Sequence, residues 1–448
     1  MVPLRRPVEA WIQVPVGSFN DMRQPDAGPL RRGWTRRIWK ALGPGLITGA
    51  ADDDPSGIAT YSQAGAQYGY ALCWTMLLTM PFMAAIQTIS ACIGWRTGRG
   101  LAKSLAARFP RPVVHSLIAL LVAANTINVA ADLAAMGESL RLAISGPAVL
   151  YALIFGLACL IAQTLVPYHR YARYLKYLTM ALLVYVGSAF TLRIPWGRVM
   201  TDLLVPSFSY DRTSLLTIVA VFGTTISPYL FFWQTSQEAE ESQLSHRRRR
   251  SADSAGAGYF RHISFDTWTG MAFSNLVGFF IIVTTAATLN AHGITKIDTA
   301  SQAAEALRPI AGELTFGLFA AGIIGTGLLA VPVLTGSAAY GLADVLGLKS
   351  SLELPARRAR GFYAILAFAT LAGVVLAASR LNPIALLFWA AVINGITAVP
   401  IMVAMMVLVS DRRGREVFLI PLWLRCLGWL AATLMALAVA VYFRSLIE

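Results

Sequence analysis

Hydrophobic residues occur along this chain in runs of about 20, and short polar stretches separate the runs. A run of that length crosses the roughly 30 Å of hydrocarbon in a bilayer when it forms a helix rising 1.5 Å per residue. A water-soluble helix would instead carry an apolar stripe opposite a charged face. The pattern therefore predicts an all-α membrane protein that crosses the bilayer many times.

We predict eleven membrane spans, of which the first and the sixth are interrupted. The second and the eighth carry internal glycine or proline without a clear break. The predicted spans are 41–66, 70–95, 112–138, 147–166, 174–192, 213–241, 263–289, 314–345, 359–379, 383–409 and 417–443.

The positions of the basic residues predict the orientation. Lysine and arginine collect in cytoplasmic loops, and here they concentrate in the first 40 residues and in the loops after every second span. We therefore expect a largely disordered cytoplasmic tail at 1–40, a C-terminus on the outer side and insertion in a bacterial inner membrane. The lipid bilayer is then an obligatory partner.

Composition agrees with this class and argues against others. Hydrophobic residues make up 56% of the 448 and charged residues only 13%, which is too apolar for a soluble protein of this size. The basic loops account for the net charge of +14, so we interpret the run Arg247–Arg250 as a topology anchor and expect no nucleic-acid partner. The four cysteines lie far apart in apolar spans and predict neither disulfides nor a redox site.

The first span contains three consecutive carboxylates and then a helix breaker, in the stretch Asp52-Asp53-Asp54-Pro55-Ser56-Gly57. Each carboxylate in mid-membrane costs about 2.5–3.5 kcal/mol even on a lenient scale. Pro55 removes a backbone donor and Gly57 loosens the chain, so the helix should open there. We place the aspartates at the negative carbonyl end of the first half-helix, where a cation or proton must sit among them. The alternative is a proline kink with its carboxylates in a watery vestibule.

The sixth span has a second break in a corresponding place, at Ser227-Pro228. Spans one and six each begin a group of five, which is how an inverted repeat appears in sequence. We assign the repeats to 41–192 and 213–409, and the last span to 410–448. In such folds the substrate lies at the midplane between the two unwound segments, so Asp54 would face the carbonyls near Thr224.

These features resemble the NRAMP divalent-metal transporters. The resemblance rests on the stretch 43–57, the paired break and the eleven spans, and covers nearly all of the membrane region. It implies the LeuT-type fold, a 5+5 inverted repeat with broken helices one and six, and transport of a divalent metal ion by alternating access. It implies no enzymatic activity and no cofactor, and we expect a monomer.

In that family the first break reads Asp-Pro-Gly-Asn and the sixth Met-Pro-His. The Asp, Asn and Met side chains bind a transition metal together with a backbone carbonyl. The family's Asp corresponds to Asp54, its Asn to Gly57, its Met to Ser227 and its His to Tyr229. The resulting candidate substrate site comprises Asp54, Ala51, Gly57, Thr224, Ser227 and Tyr229.

The departures from the family pattern change the expected ion. A thioether favours soft ions such as manganese, iron and cadmium, whereas Ser227 offers only a hydroxyl oxygen. Two missing ligands leave room for water, which suits magnesium because it gives up its hydration shell reluctantly. The chain is thus more similar to the divergent, magnesium-transporting relatives, and we expect Mg²⁺ or Mn²⁺ as substrate.

The residues that couple transport to protons in the family are altered as well. The family's third-span Asp corresponds to Asp132, but its Glu corresponds to Ala135, and its second span-six His corresponds to Gln234. No histidine lies in the middle of a predicted span, so little can titrate near neutrality. We expect facilitated transport rather than proton symport.

Several polar residues are candidates for the permeation pathway: Asp53, Asn128, Asp132 and Gln234. Asn128 and Asp132 lie one turn apart, so either both line the path or Asn128 only satisfies Asp132. At most one of Asp52 and Asp53 is expected to join Asp54. Asn275 and Asn394, on spans seven and ten, are expected to form interhelical hydrogen bonds.

Two other functions remain open. One is transport of a small organic cation, with Asp54 as counter-ion and nearby aromatic rings as a cage; the rings are Tyr229, Phe231, Phe232 and Trp233. The other is a receptor or sensor on the same fold that does not transport.

Overall fold

The structure is a computed structural model that describes most of the chain after residue 47. The described residues are 48–49, 51–166, 182–207, 210–248, 256–308, 312–352, 354–379, 381–411, 414–415 and 418–447. The predicted tail at 1–40, the start of span one, the first part of span five and the side chains of Arg247–Arg250 lie outside what is described.

The described residues are almost entirely helical and contain no strand. The helices are α1 Pro55–Tyr68, α2 Trp74–Thr97, α3 Leu101–Ala106, α4 Arg111–Ile144, α5 Ala148–Leu165, α6 Leu183–Thr191, α7 Trp196–Leu204, α8 Arg212–Thr225, α9 Pro228–Arg248, α10 Gly256–Thr288, α11 Ala300–Glu305, α12 Thr315–Leu346, α13 Arg360–Ala377, α14 Pro383–Ser410 and α15 Leu422–Arg444.

Within these ranges, nine helical segments are long and apolar enough to cross a membrane. They correspond to predicted spans two to four and six to eleven, with α8 and α9 together forming span six. The first and fifth predicted spans are described only in part. The chain is therefore a multi-pass membrane protein, as the hydrophobic pattern predicts.

Some boundaries differ from the prediction, and three short helices were not predicted (α3, α7 and α11). Helix α4 continues to Ile144, beyond the predicted end at 138. No glycine or proline interrupts its last turns after Gly137, and the helix ends where Ser145 and Gly146 adopt positive φ values of 60° and 111°. The end of a helix is set by this local backbone more than by the end of the apolar run.

The predicted break in helix one is confirmed. Residues 51–52 are helical, Asp53 and Asp54 are not, and α1 begins at Pro55. Proline lacks the N–H that an interior helical residue donates, but that N–H is unused at the first position of a helix. Pro55 is therefore well suited to the first position of the second half-helix.

The predicted break in helix six is confirmed in the same way. Helix α8 ends at Thr225 and α9 begins at Pro228, so Ile226 and Ser227 separate them. By contrast, Pro332 lies inside the continuous helix α12. A proline in the apolar sequence is therefore not sufficient for a break, and both breaks follow a short polar or small-residue stretch.

The broken helices pack closely on their neighbours through glycines. A Cβ at Gly49, before the first break, would lie 2.9 Å from the Cα of Gly270 in α10. A Cβ at Gly223, before the second break, would lie 2.6 Å from the Cα of Gly395 in α14. Both are backbone-to-backbone contacts that only small residues allow in membrane helices. They fix the two unwound segments next to α10 and α14.

Candidate cation site between the two breaks

Asp54 caps the N-terminus of α1. Its backbone is extended, and its Oδ1 accepts hydrogen bonds from the Gly57 N–H at 2.8 Å and the Ser56 hydroxyl at 2.6 Å. A helix N-terminus stabilises negative charge. Asp54 therefore follows the carbonyl end of the first half-helix and also caps the second half-helix, and the second role was not predicted. Asp-Pro at the start of a helix is itself an N-cap signal in the sequence.

The other oxygen of Asp54, Oδ2, faces α4 and α9. Asn128 Nδ2 donates to it at 3.2 Å, and the Tyr229 hydroxyl lies 3.4 Å from it and 3.1 Å from the carbonyl oxygen of Ala51. The tyrosine has one proton, so it donates to one of these oxygens at a time. Both contacts are longer than usual for a charged acceptor. Oδ2 therefore keeps acceptor capacity for a cation, although Asp54 is buried.

Asn128 does not satisfy Asp132, which removes one of the two interpretations of this pair. Its amide donates to Asp54 instead. In the described part of the chain, neither oxygen of Asp132 nor Oδ1 of Asn128 has a hydrogen-bond partner, and both residues are fully buried. Unpaired polar groups are costly in a low-dielectric interior. Water, a proton or a cation must therefore compensate them.

Gly57 and Thr224 bring the two breaks together. A Cβ at Gly57 would lie 3.2 Å from the Thr224 Oγ1, and this hydroxyl has no partner among the described residues. Ser227 Oγ lies within hydrogen-bond distance of two carbonyl oxygens, those of Gly223 at 3.0 Å and Thr224 at 2.8 Å. It thereby caps the open end of α8. Only the lone pairs of Ser227 remain for a cation.

Asp53 lies apart from this arrangement, together with Asp52. Ser274 Oγ in α10 is 2.7 Å from Asp52 Oδ2 and 3.0 Å from Asp53 Oδ1. All three side chains are buried. No hydrogen bond within the described residues joins either carboxylate to Asp54, so the three aspartates divide between two faces of the broken helix.

Gln234 connects the first half of helix one with α9. Thr48 Oγ1 donates to Gln234 Oε1 at 2.5 Å, and Gln234 Nε2 donates to Glu238 Oε1 at 3.0 Å. All three residues are buried. Gln234 thus belongs to the contact between the first half-helix and α9 rather than to the surroundings of Asp54.

Sequence reasoning missed several hydroxyl groups that hold these segments. The Tyr61 hydroxyl and the Thr225 Oγ1 lie 2.9 Å apart and join α1 to α8; Thr48 and Ser274 make the contacts given above. Serine and threonine in membrane helices commonly bond to their own backbone, so these residues carry no distinctive signal. Thr225 alone, next to the break, has a position that could have identified it.

A cavity of about 490 Å³ lies beside α1, α8 and α14. Ala59, Gln63 and Gln67 line it from one face of α1, at the four-residue spacing of a helix, and Thr213 and Thr217 line it from α8. Ala59 is the lining residue of α1 that lies closest in sequence to Asp54. The cavity therefore approaches the breaks from the side of the second half-helix.

No group of three or more His, Cys, Asp or Glu side chains converges as a metal centre within the described ranges. A cation between the breaks would meet the Asp54 carboxylate and neutral oxygens, and Asp132 lies one helical turn from Asn128. Structural metal sites usually have a full set of protein ligands. The few protein ligands here fit transient binding better than a resident metal.

Comparison with known proteins identifies similar sequences. A family model described as natural resistance-associated macrophage protein-like (Nramp) matches residues 45–444. The divalent metal cation transporter MntH of Chromohalobacter salexigens is 30% identical over 311 residues, which are 65% of this chain and 66% of the relative. That of Verminephrobacter eiseniae is 28% identical over 312 residues, 66% of this chain and 67% of the relative. The chain spans about two thirds of the length of these relatives.

Two solved structures share the architecture. The Eremococcus coleocola manganese transporter superposes with a TM-score of 0.72 at 17% identity, covering 94% of this chain and 89% of that one. Mhp1, a nucleobase-cation-symport-1 family transporter, superposes with a TM-score of 0.57 at 13% identity, covering 90% and 92%. At such identities the likeness establishes the fold alone. The predicted LeuT-type fold is confirmed.

Proposed function

This chain belongs to the Nramp family, and on that premise we propose that it is a facilitative transporter of divalent metal cations, with Mg²⁺ or Mn²⁺ favoured. The observation that carries the proposal is the buried Asp54 Oδ2, whose described hydrogen bonds, from Asn128 Nδ2 and the Tyr229 hydroxyl, are both long. Asn128 and Tyr229 contact that oxygen, and the Thr224 hydroxyl approaches from the second break. The two relatives named divalent metal cation transporter support the class of substrate.

The ligand set favours a hard, partly hydrated ion. Ser227 supplies oxygen where the family pattern has a thioether, and Gly57 supplies no side chain at all. Magnesium prefers oxygen ligands and keeps several of its waters in protein sites. The unpartnered oxygens of Asn128, Asp132 and Thr224 supply acceptors for such waters. We therefore assign Asp54 as the anionic ligand and the other predicted site residues as contacts of a hydrated ion.

The packing supports alternating access. The cavity on the side of the second half-helix reaches Ala59, whereas the first half-helix is held by the Thr48–Gln234 hydrogen bond and the Gly49–Gly270 contact. With the N-terminus cytoplasmic, as the basic loops predict, the cavity opens outward. Release to the cytoplasm would then require the Thr48–Gln234 contact to part. The assignments of an inner membrane and of two inverted repeats at 41–192 and 213–409 belong to the same proposal.

The organic-cation alternative has less support. Its aromatic cage would need Phe232 and Trp233 beside Asp54. The ring of Trp233 instead packs against Tyr340 of α12, with centroids 6.2 Å apart, and a Cβ at Gly341 of α12 would lie 3.6 Å from the Phe232 ring. Of the four predicted cage residues, Tyr229 is the one with a described contact to Asp54.

Uptake into proteoliposomes containing an internal pH dye tests the proposal. We expect Mg²⁺ and Mn²⁺ to enter down their gradients without acidification, because Ala135, Tyr229 and Gln234 replace the titrating residues of the family pattern. An inward proton gradient should leave the initial rate within about twofold, since uptake carries no proton. Stoichiometric acidification would contradict facilitated transport, and absence of any divalent uptake by folded protein would contradict the proposal as a whole.

Tyr229→Phe should weaken the apparent affinity for the cation about fivefold without preventing folding. The change removes the hydroxyl that lies between Asp54 and the Ala51 carbonyl. In the proposed site this hydroxyl contacts the hydrated ion, and the loss of one such hydrogen bond costs about 1 kcal/mol. The measurement is the KM for Mn²⁺ uptake. Tyr340→Phe is the matched control, because that hydroxyl bonds Glu240 at 2.7 Å, away from the breaks. Equal KM values in the two variants would contradict a role for Tyr229 at the site.

A further inference from the structure

Asn394, in the middle of α14, has no described partner for its side chain. The residue is 0% exposed, and neither Nδ2 nor Oδ1 forms a hydrogen bond with any residue in the described ranges. The expected interhelical hydrogen bond is present for Asn275, whose Nδ2 lies 3.1 Å from Met83 Sδ. For Asn394 that expectation was wrong, and its polar atoms require another explanation.

The position of Asn394 is next to the break in helix six. Its neighbours Ala391 and Gly395 both pack on Gly223 of α8. The Gly223 carbonyl in turn accepts a hydrogen bond from Ser227. Helix α14 also packs against α1, α4 and α9, which carry the other residues around Asp54.

A buried amide without a partner destabilises a membrane protein, because its desolvation is not offset by a hydrogen bond. A leucine of similar size would fill the same space without that cost. Buried polar groups that lack protein partners are commonly satisfied by ordered water. The helices that α14 contacts contribute other unpartnered oxygens, those of Asn128, Asp132 and Thr224. Buried polar atoms without described partners occur elsewhere in the molecule as well, but these oxygens and the Asn394 amide belong to helices that pack on one another beside the breaks.

We propose that Asn394 is a further substrate contact, which binds the hydration shell of the divalent cation between the breaks. Waters bound to a dication direct their hydrogens outward, so Oδ1 of Asn394 would accept from one of them. Water-mediated contacts of this kind are nearly as favourable as direct ones. The inference deepens the proposed function and rests on it.

Asn394→Leu separates this role from a structural one. We expect the variant to unfold at the same temperature as wild type or higher, because it loses an unpaired amide. We also expect the KM for Mg²⁺ or Mn²⁺ uptake to rise about tenfold, as for loss of one hydrogen bond to a charged ligand. Stabilisation of the purified protein by added Mn²⁺ should weaken in parallel, which a merely structural residue would not affect.

Asn275→Leu is the matched control, since it removes an amide that has partners in Met83 and Thr79. It should lower the unfolding temperature and leave the KM unchanged. A folded Asn394→Leu variant with the wild-type KM overturns the inference alone; wild-type protein that takes up no divalent cation overturns the proposed function beneath it. If Asn394→Leu does not fold, Asn394→Ala is judged by the same two measurements.

Discussion

Asp54→Asn should reduce divalent-cation uptake at least a hundredfold while preserving the fold. Asparagine caps helices as well as aspartate does, so its side-chain oxygen can still accept from the Gly57 N–H that Asp54 binds now. What the variant loses is the negative charge that compensates the dication. A hundredfold loss corresponds to about 2.7 kcal/mol, a modest value for a charge in a buried site. Initial rates of Mg²⁺ and Mn²⁺ uptake, compared with the unfolding temperature, give the result.

Asp53→Asn is the matched control, because it makes the same chemical change one residue away. The Asp53 carboxylate contacts Ser274 of α10 and has no described bond to the groups around Asp54. Uptake by this variant should stay within about threefold of wild type, a difference below 1 kcal/mol. Equal losses in both variants would show that the summed negative charge of the break matters, and not the position of Asp54.

The double variant Gly57→Asn, Ser227→Met should change the preferred ion. It supplies the two side-chain ligands that the family pattern has at these positions. A thioether favours soft ions, and two added ligands displace waters that magnesium retains. We expect the ratio of Mn²⁺ to Mg²⁺ uptake to rise at least tenfold and Cd²⁺ to become a substrate, as measured by competition in proteoliposomes.

At Gly57, the tightest contact of an added Cβ would be with a side chain that can move. A Cβ at Gly57 would lie 3.2 Å from the Thr224 Oγ1, the end of a side chain that can rotate away. Loss of the Ser227 hydroxyl uncaps the carbonyls of Gly223 and Thr224, at a cost of about 1 kcal/mol. The single variants are the controls, with Ser227→Met expected to carry most of the gain for soft ions. A folded double variant with the wild-type ion ratio would contradict the assignment of these positions to the site.

Local sequence signals were enough to predict the two breaks and their pairing. Asp-Pro and Ser-Pro mark the two breaks, because proline cannot donate to the preceding turn and in both cases it follows polar or small residues. The spacing of the apolar runs predicted the spans but not their exact ends, because local backbone and capping residues decide where a helix ends. The N-cap role of Asp54 was not predicted, although the N-cap pattern for it is present in the sequence.

The choice of partners could not be predicted, because it depends on contacts between distant helices. Asn128 could bond to Asp132 one turn away or to Asp54 in another helix, and only the packing of α4 on the first break selects Asp54. Ser274 is separated from Asp53 by more than 200 residues. Likewise, nothing in the sequence distinguishes Asn394 from Asn275. The identity of the bound ion depends on these partners and is therefore the least predictable part of the site.

The most direct measurement is the position of a bound ion in a crystal of wild-type protein soaked with Mn²⁺, located by anomalous scattering. We predict one peak between the two breaks, from an ion bound to Asp54 Oδ2 either directly, at about 2.5 Å, or through one bridging water. We predict that crystals of Asp54→Asn lack this peak. A peak held by Asp52, Asp53 and Ser274 instead, or no peak at saturating Mn²⁺, would contradict the account.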